Sequence, residues 1–268
     1  MISYRQDAPQ RIICLTEETT ETLYLLGQQD RIVGVSGYTC RPAEARQKPK
    51  VSAFTSAKIE KILELKPDLV IGFSNLQAAI AQELISAGVN VLVFNQRSVS
   101  EIFEMILILA RIVGAEQAGL DLAAQLHRDL DRIAESALAF PRRPRVFFEE
   151  WMDPLISGIR WVDELIEFAG GEPVFPALRE QQSAKERIVS AADVAAAAPD
   201  VVIASWCGRK VNIDKIRERE GWSAVPAVVC NHIYEIKSTY ILQPGPAALT
   251  EGVRQLHAIL AHAAGGGA

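Results

Sequence analysis

The sequence has few histidines, no closely paired cysteines and no long apolar run, and each shortage removes a class of protein. Four histidines occur in 268 residues, His127, His232, His257 and His262. No two of them fall at ligand spacing within one element, so no local zinc motif exists. The four cysteines, Cys14, Cys40, Cys207 and Cys230, form no C-x-x-C pair. Cys14 and Cys230 lie in apolar, strand-like runs and read as core thiols. A metal centre would need Cys40, Cys207 and a histidine to converge from distant positions, and no metal ligand set is assigned. No stretch approaches the roughly 18 apolar residues that mark a membrane span; the longest, Ile106 to Val113, is broken by Arg111. The opening MISYRQDAPQR lacks the basic stretch and apolar segment of a secretory leader. The expected location is therefore cytoplasmic as the sequence stands, and periplasmic if a leader has been removed. Also missing are G-x-G-x-x-G, the Walker A sequence, G-x-S-x-G, H-E-x-x-H and a calcium loop. A net charge of -5 argues against a nucleic-acid partner, which needs a concentrated positive surface.

What is present is alternation. Short apolar runs at Arg11–Leu15, Ile32–Val35, Leu69–Gly72 and Val91–Phe94 read as strands. Between them, Thr16–Leu26, Ile59–Leu65 and Leu76–Ala87 read as helices, the first and last stopped by Gly27 and Gly88. Strands that are apolar throughout are buried on both faces, which predicts a parallel sheet covered by helices. Two helices follow, Ser100–Val113 and the longer Glu116–Leu138. The pattern then resumes with strand Arg145–Glu149, helix Trp161–Ala169, helix Ser190–Ala198, strand Val201–Ala204, helix Ile213–Glu220, strands Val228–Cys230 and Ile233–Ile236, and a closing helix Ala247–Ala261. KIEKILELKPDLVIGFS in the first half is echoed by RIVSAADVAAAAPDVVIASW in the second: helix, Pro-Asp, apolar strand, polar or aromatic loop. The expected division is an α/β lobe over 1–98, a helical segment over 99–140 and a second α/β lobe over 141–268.

In open α/β sheets, ligands bind beyond the carboxyl ends of the strands. The loops there hold Tyr38, Phe54, Phe73, Trp151, Trp206 and Tyr240, a group of aromatics suited to a broad, flat, partly apolar ligand with polar edges. Each taken singly reads as ordinary loop packing. Cys207, in S-W-C-G-R-K beside Arg209 and Lys210, invites comparison with a nucleophile, but no base is oriented toward it in the local sequence. Glu149 and Glu150 stand at a strand end where acids and bases work. Neighbouring strand residues point opposite ways, so the two cannot face one substrate together. No catalytic set is assigned.

RIICLTEETTETLYLLGQQDRIVGVSGY, KIEKILELKPDLVIG and FFEEWMDPLISGIRWVDELIEFAGGEPVF resemble, in that order, three signatures of the periplasmic cobalamin- and iron-siderophore-binding proteins. The likeness runs from about Arg11 to Ala261 and is nearest to the vitamin B12-binding type. It implies two Rossmann-like α/β lobes with mainly parallel sheets, bridged by one long α-helix, here Glu116–Leu138. It implies a non-catalytic protein that holds its ligand between the lobes and docks to an ABC-transporter permease. The family's cleft aromatics fall on Tyr38, Phe54 and Phe73 in the first lobe, and the matching loops of the second place Trp151, Trp206 and Tyr240 near the ligand. Cys40 and Cys207, in the loops GYTCRP and ASWCGRK that differ from the vitamin B12 type, join this set as thiols that would coordinate a cobalt or other soft metal centre if they face each other across the cleft. Each lobe of family members carries an acidic residue for the permease. Glu60 matches the first, and the second falls on Ala192, beside Asp193. Cobalamin is the ligand this implies. A ferric siderophore or haem, served by Arg41, Arg160, Arg209 and Lys210, is the alternative, and a cytoplasmic corrinoid-handling factor or enzyme using Cys207 or Glu150 is a third reading.

Overall fold

The computed structural model describes residues 8–265 and divides into two compact units. One comprises the chain up to Gln96 together with Ser100–Gln125; the other comprises Arg97–Val99 and everything from Leu126 onward. The first unit is built on strands β1 (Ile12–Cys14), β2 (Ile32–Ser36), β3 (Lys50–Ser52), β4 (Leu69–Phe73) and β5 (Val91–Phe94). They form one sheet in the order β3-β2-β1-β4-β5, every neighbouring pair parallel. Helices α1 (Glu17–Leu25), α2 (Ile59–Glu64) and α3 (Ala78–Ser86) make the crossovers. The central strands β1 and β4 are buried at every position, as apolar strands covered on both faces must be. Ile13, Leu15, Val51, Ile62, Val70 and Leu84 form the core on one side of this sheet.

Helix α4 (Val99–Ile112) leads into α5 (Glu116–Ala137), which begins in the first unit and ends in the second. At 1.5 Å per residue, α5 is about 33 Å long. Gly119 is required where α5 meets α4: a Cβ there would sit 2.3 Å from that of Ala110.

The second unit contains β6 (Arg145–Met152), β7 (Leu155–Ser157), α6 (Arg160–Phe168), β8 (Glu172–Pro173), α7 (Ala191–Ala197), β9 (Val201–Ala204), α8 (Ile213–Arg217), α9 (Pro226–Val229), β10 (Ile233–Glu235), α10 (Ser238–Ile241) and α11 (Val253–Ala264). Its sheet runs β10-β9-β6-β7, with β8 also paired to β6. All pairs are parallel except β6–β7, a hairpin turning at Asp153 and Pro154. Fold class and the long connecting helix thus agree with the sequence reading. Among the described residues, no helix is long and apolar enough to cross a membrane.

Three expectations are corrected. Val228–Cys230 is not a strand: Pro226 occupies the first turn of α9, where its fixed φ suits a helix, and the run continues helically. Cys230 follows α9 and is exposed, so it is no core thiol, whereas Cys14 is buried. Strand β6 does not stop at Glu149 but runs to Met152, because β7 folds back on it and extends the ladder.

The internal echo has a shared physical role. Asp68, after Pro67, accepts the backbone N–H groups of Gln10 and Arg11 at 2.7 and 3.0 Å, while its own N–H donates to the Arg11 carbonyl. Asp200, after Pro199, accepts the Arg145 N–H at 2.8 Å, and its own N–H donates to the Arg145 carbonyl. Each carboxylate therefore latches the start of the unit's first strand, β1 or β6, to the strand beside it. Asp200 also pairs with Arg142 at 2.7 Å. Hydrogen bonds to charged groups contribute roughly 1.5–3 kcal/mol each. Asp200→Ala is expected to lower the unfolding free energy by about 2 kcal/mol, with Asp200→Asn intermediate, as read by urea denaturation.

Candidate functional site

A parallel sheet brings all its carboxyl ends to one edge, and the loops leaving that edge carry the residues singled out from sequence. In the first unit the chain passes from β1 to β2 on one side and from β4 to β5 on the other, so the topological switch point lies between β1 and β4. Tyr38 and Cys40 follow β2; Tyr38 is 55% exposed and Cys40 half-buried. Phe54 follows β3, half-buried, with φ of 57°. Phe73 is the last residue of β4 and is packed inside.

Gln77 ties these loops together. Its Oε1 accepts the Phe73 N–H at 2.9 Å and its Nε2 donates to the Phe54 carbonyl at 2.8 Å. A Cβ at position 72 would lie 2.7 Å from that Oε1, so Gly72 is what admits the amide. A second tie is the ion pair of Arg41 with Glu21 of α1, at 2.9 Å. Neither brace was apparent in the sequence, where Gln77 and Glu21 read as ordinary polar positions and Arg41 as a candidate for an anionic ligand; the structure pairs Arg41 with Glu21 instead.

The amino end of α1 sits just beyond β1 and is unusually acidic for a buried segment. Glu18 is 1% exposed, and Thr16, Thr19, Thr20 and Thr22 are buried beside it. Thr20 and Thr22 return their hydroxyls to helix carbonyls, at Thr16 and Glu18. Burial, then the neighbouring carboxylates, pushes Glu17 up to about 8; burial also raises Glu18 to about 7, opposed by the Thr16 hydroxyl bond.

In the second unit, β6 presents Glu149 and Glu150 to opposite sides, and each meets its own arginine. Glu149 is wholly buried and accepts Arg219 Nη1 at 2.8 Å and Nη2 at 3.2 Å, as well as Trp206 Nε1 at 3.2 Å. Arg219 lies over the Trp222 ring, 4.4 Å from its centroid. Glu150 accepts both terminal nitrogens of Arg187, itself 1% exposed, and Arg187 also donates to the Ser157 carbonyl. Both carboxylates weighed as acid or base are thus engaged structurally. Trp206, 4% exposed, belongs to the core around Phe147 and Trp222. Trp151 is half-buried with Arg209 5.9 Å from its ring centroid, Cys207 is exposed, and Tyr240 is half-buried on α10. Arg160 pairs with Glu164 and Glu180.

A cavity of about 480 Å³ lies in the first unit between α3 and the edge strand β5, lined by Ser74, Ala78, Ile85, Val93 and Asn95. It includes none of the aromatics named above. Among the described residues, no group of three or more His, Cys, Asp or Glu side chains is arranged to hold a metal ion.

Asp163, near the start of α6, is also buried, and desolvation outweighs Arg179 and Arg187 to push it up to about 8. Its folded value exceeds its unfolded one, so its contribution is fully favourable below about pH 4 and declines as pH rises toward 8. Asp163→Asn is expected to raise the melting temperature relative to wild type at pH 8.5 and to lose that advantage at pH 4. Removing one member of a buried pair leaves an uncompensated charge, at a cost of about 3–5 kcal/mol. Arg219→Ala is expected to show that loss in denaturant melts, and Glu149→Gln combined with Arg219→Gln to recover part of it.

The sequence profile described as periplasmic binding protein matches residues 12–240. An uncharacterized ABC transporter substrate-binding lipoprotein of Bacillus subtilis is 29% identical over 261 residues, covering 92% of this chain and 79% of that protein. A vitamin B12-binding protein of Vibrio vulnificus is 27% identical over 252 residues, covering 91% of this chain and 88% of its own. Among solved structures, a periplasmic haem-binding protein from a Roseiflexus species, in its apo form, superposes with a TM-score of 0.78 at 26% identity, covering 94% of this chain and 99% of its own.

Proposed function

Because this chain belongs to the periplasmic binding protein family, whose members bind and deliver ligands without turning them over, we propose that it is the carrier of a large metal chelate, with a corrinoid as its ligand. The observation that carries the choice of corrinoid is the likeness, along almost the whole chain, to vitamin B12-binding proteins. Aromatic side chains at the carboxyl edges support it: Tyr38, Phe54 and Phe73 in the first unit, Trp151, Trp206 and Tyr240 in the second. Exposed or half-buried Tyr38, Trp151 and Tyr240 offer flat apolar area for a macrocycle. Phe73 and Trp206, being packed inside, serve by shaping the loops that hold the others. Cys40 and Cys207 belong to the same edges, and their role is tested with the ligand. Haem is the second reading, favoured by the likeness to a haem-binding protein and by the exposed Arg209 and Lys210, which suit anionic arms.

The proposed setting is outside the cytoplasmic membrane, delivering to an ABC permease. Glu60 is exposed on the first turn of α2 and is the proposed contact of the first unit. Ala192 stands at the corresponding place in the second. Asp193 beside it caps α7, accepting the Ser190 N–H and hydroxyl at 3.0 and 2.6 Å, which holds its carboxyl below the usual range. The docking contact of this chain therefore rests more heavily on Glu60.

Titration with cyanocobalamin and aquocobalamin, followed by corrin absorption and tryptophan fluorescence, tests the proposal. One equivalent is expected to bind with a Kd below 1 micromolar, roughly -8 kcal/mol, and Trp151→Ala to weaken it about tenfold, roughly 1.4 kcal/mol. A shift with aquocobalamin alone that is lost in Cys207→Ala or Cys40→Ala identifies a thiol bound to cobalt. Failure to bind either corrinoid, with tight binding of haemin, overturns the corrinoid in favour of haem.

A further inference from the structure

The carboxyl edge of the first unit has open hydrogen-bonding capacity of a specific kind. Glu18 Oε1 accepts the Thr16 hydroxyl at 2.5 Å, which turns the carboxyl back over the residue that joins β1 to α1. This is the switch-point side of the sheet, where ligands of open α/β folds sit. Among the described residues, Glu18 Oε2 is buried there with no hydrogen-bond partner. The Thr39 hydroxyl, in the loop after β2, is likewise buried and unpartnered. Buried polar atoms are almost always satisfied, and an unsatisfied one costs about 1–3 kcal/mol. Two such atoms at one sheet edge point to a ligand that supplies their partners.

The charge around them narrows its chemistry. Glu17 lies next to Glu18, and Glu21 follows one turn later, paired with Arg41. The amino end of a helix ordinarily favours an anion; here two carboxyl groups already stand at it. At pH 8, where Glu18 is mostly ionised, an incoming carboxylate would meet like charge in a desolvated place. An uncharged primary carboxamide meets neither penalty, since its N–H donates to Glu18 Oε2 and its carbonyl accepts from a hydroxyl such as that of Thr39.

We propose that Glu18 and Glu17 select the ligand by its rim, admitting a chelate edged with uncharged carboxamides and refusing one that carries carboxylate arms at that position. This rests on the chelate-carrier reading above and deepens it by naming residues that separate a corrinoid from anionic haem or siderophore.

The test uses the full chain, with cyanocobalamin and its separated monocarboxylic acid derivatives, each with one rim carboxamide hydrolysed, in calorimetric titrations at pH 8. Wild type is expected to bind at least one monoacid ten or more times more weakly than cyanocobalamin. Glu17→Gln combined with Glu18→Gln is expected to bring that ratio within twofold of unity. Glu17→Gln alone, at the less buried position, is expected to narrow the ratio partially and carries the test if the double variant fails to melt cooperatively. A ratio unchanged in the variants, or no discrimination by wild type, overturns the inference and leaves the carrier reading standing. A wild type that binds no cyanocobalamin overturns the corrinoid reading on which the inference rests.

Discussion

Parallel strand pairing with a pinned start is the constraint from which the rest of this molecule follows. A parallel sheet has evenly slanted hydrogen bonds and no tight hairpin to fix its register. Here an aspartate behind a proline does that work in each unit. Asp68 holds the start of β1, and Asp200 holds the start of β6, each through backbone N–H and C=O groups on the neighbouring strand. Proline disfavours helix in the residue before it and so closes the preceding segment, and the aspartate then begins the next strand. With the amino ends fixed, the carboxyl ends are fixed too. The loops that bear Thr16, Tyr38, Phe54 and Ser74 emerge from one edge; in the second unit Trp151 lies near the end of β6 and Trp206 in the loop after β9.

The two edges are built from different chemistry. In the second unit, consecutive glutamates alternate across β6, and each is neutralised by an arginine from a different segment, Arg219 after α8 and Arg187 before α7. Buried pairs of this type add little net stability compared with apolar packing, because desolvation offsets their attraction. What they do is fix position: Glu149 anchors Trp206 and the segment after α8, and Glu150 anchors the segment that crosses β7. In the first unit, by contrast, Glu17 and Glu18 meet no such cationic partner among the described residues, and their carboxyl groups are pushed toward neutrality. One edge carries carboxylates paired with arginines, and the other a buried carboxylate oxygen with no partner among the described residues.

Much of the architecture was legible because it rests on short-range signals. The β1, β4, β5 and β9 runs are apolar without interruption, the long helices repeat at helical spacing, and Gly27 and Gly88 adopt the positive φ expected of helix stops. The elements that escaped notice lack such signals. Strand β3 is three residues containing a lysine, and β7 exists only because it pairs with β6. Val228–Cys230 is apolar and β-branched, yet Pro226 decides its conformation. The site was partly legible for the same reason. Loop aromatics declare themselves by type, whereas the importance of Gln77, Glu18 or Arg187 arises from burial that only the folded chain confers. A glutamate in the first turn of a helix reads as a dipole partner; its exclusion from water depends on what packs over it.

That contrast bears on how ligand choice is encoded in this family. Relatives that bind vitamin B12 and a relative that binds haem resemble this chain at nearly the same level, 27% and 26% identity. The shared fold supplies an edge, and fold alone does not name a ligand. Flat aromatic surfaces accept corrin and porphyrin alike, since both are broad and apolar at the face. The two classes differ at the rim, one studded with amides and the other carrying ionised carboxylates. Discrimination by a buried polar group is steep, because the wrong ligand leaves that group unpaired or repelled in a medium where water cannot compensate. Glu18 and Thr39, each with a buried polar atom that has no partner among the described residues, are where the proposed discrimination acts.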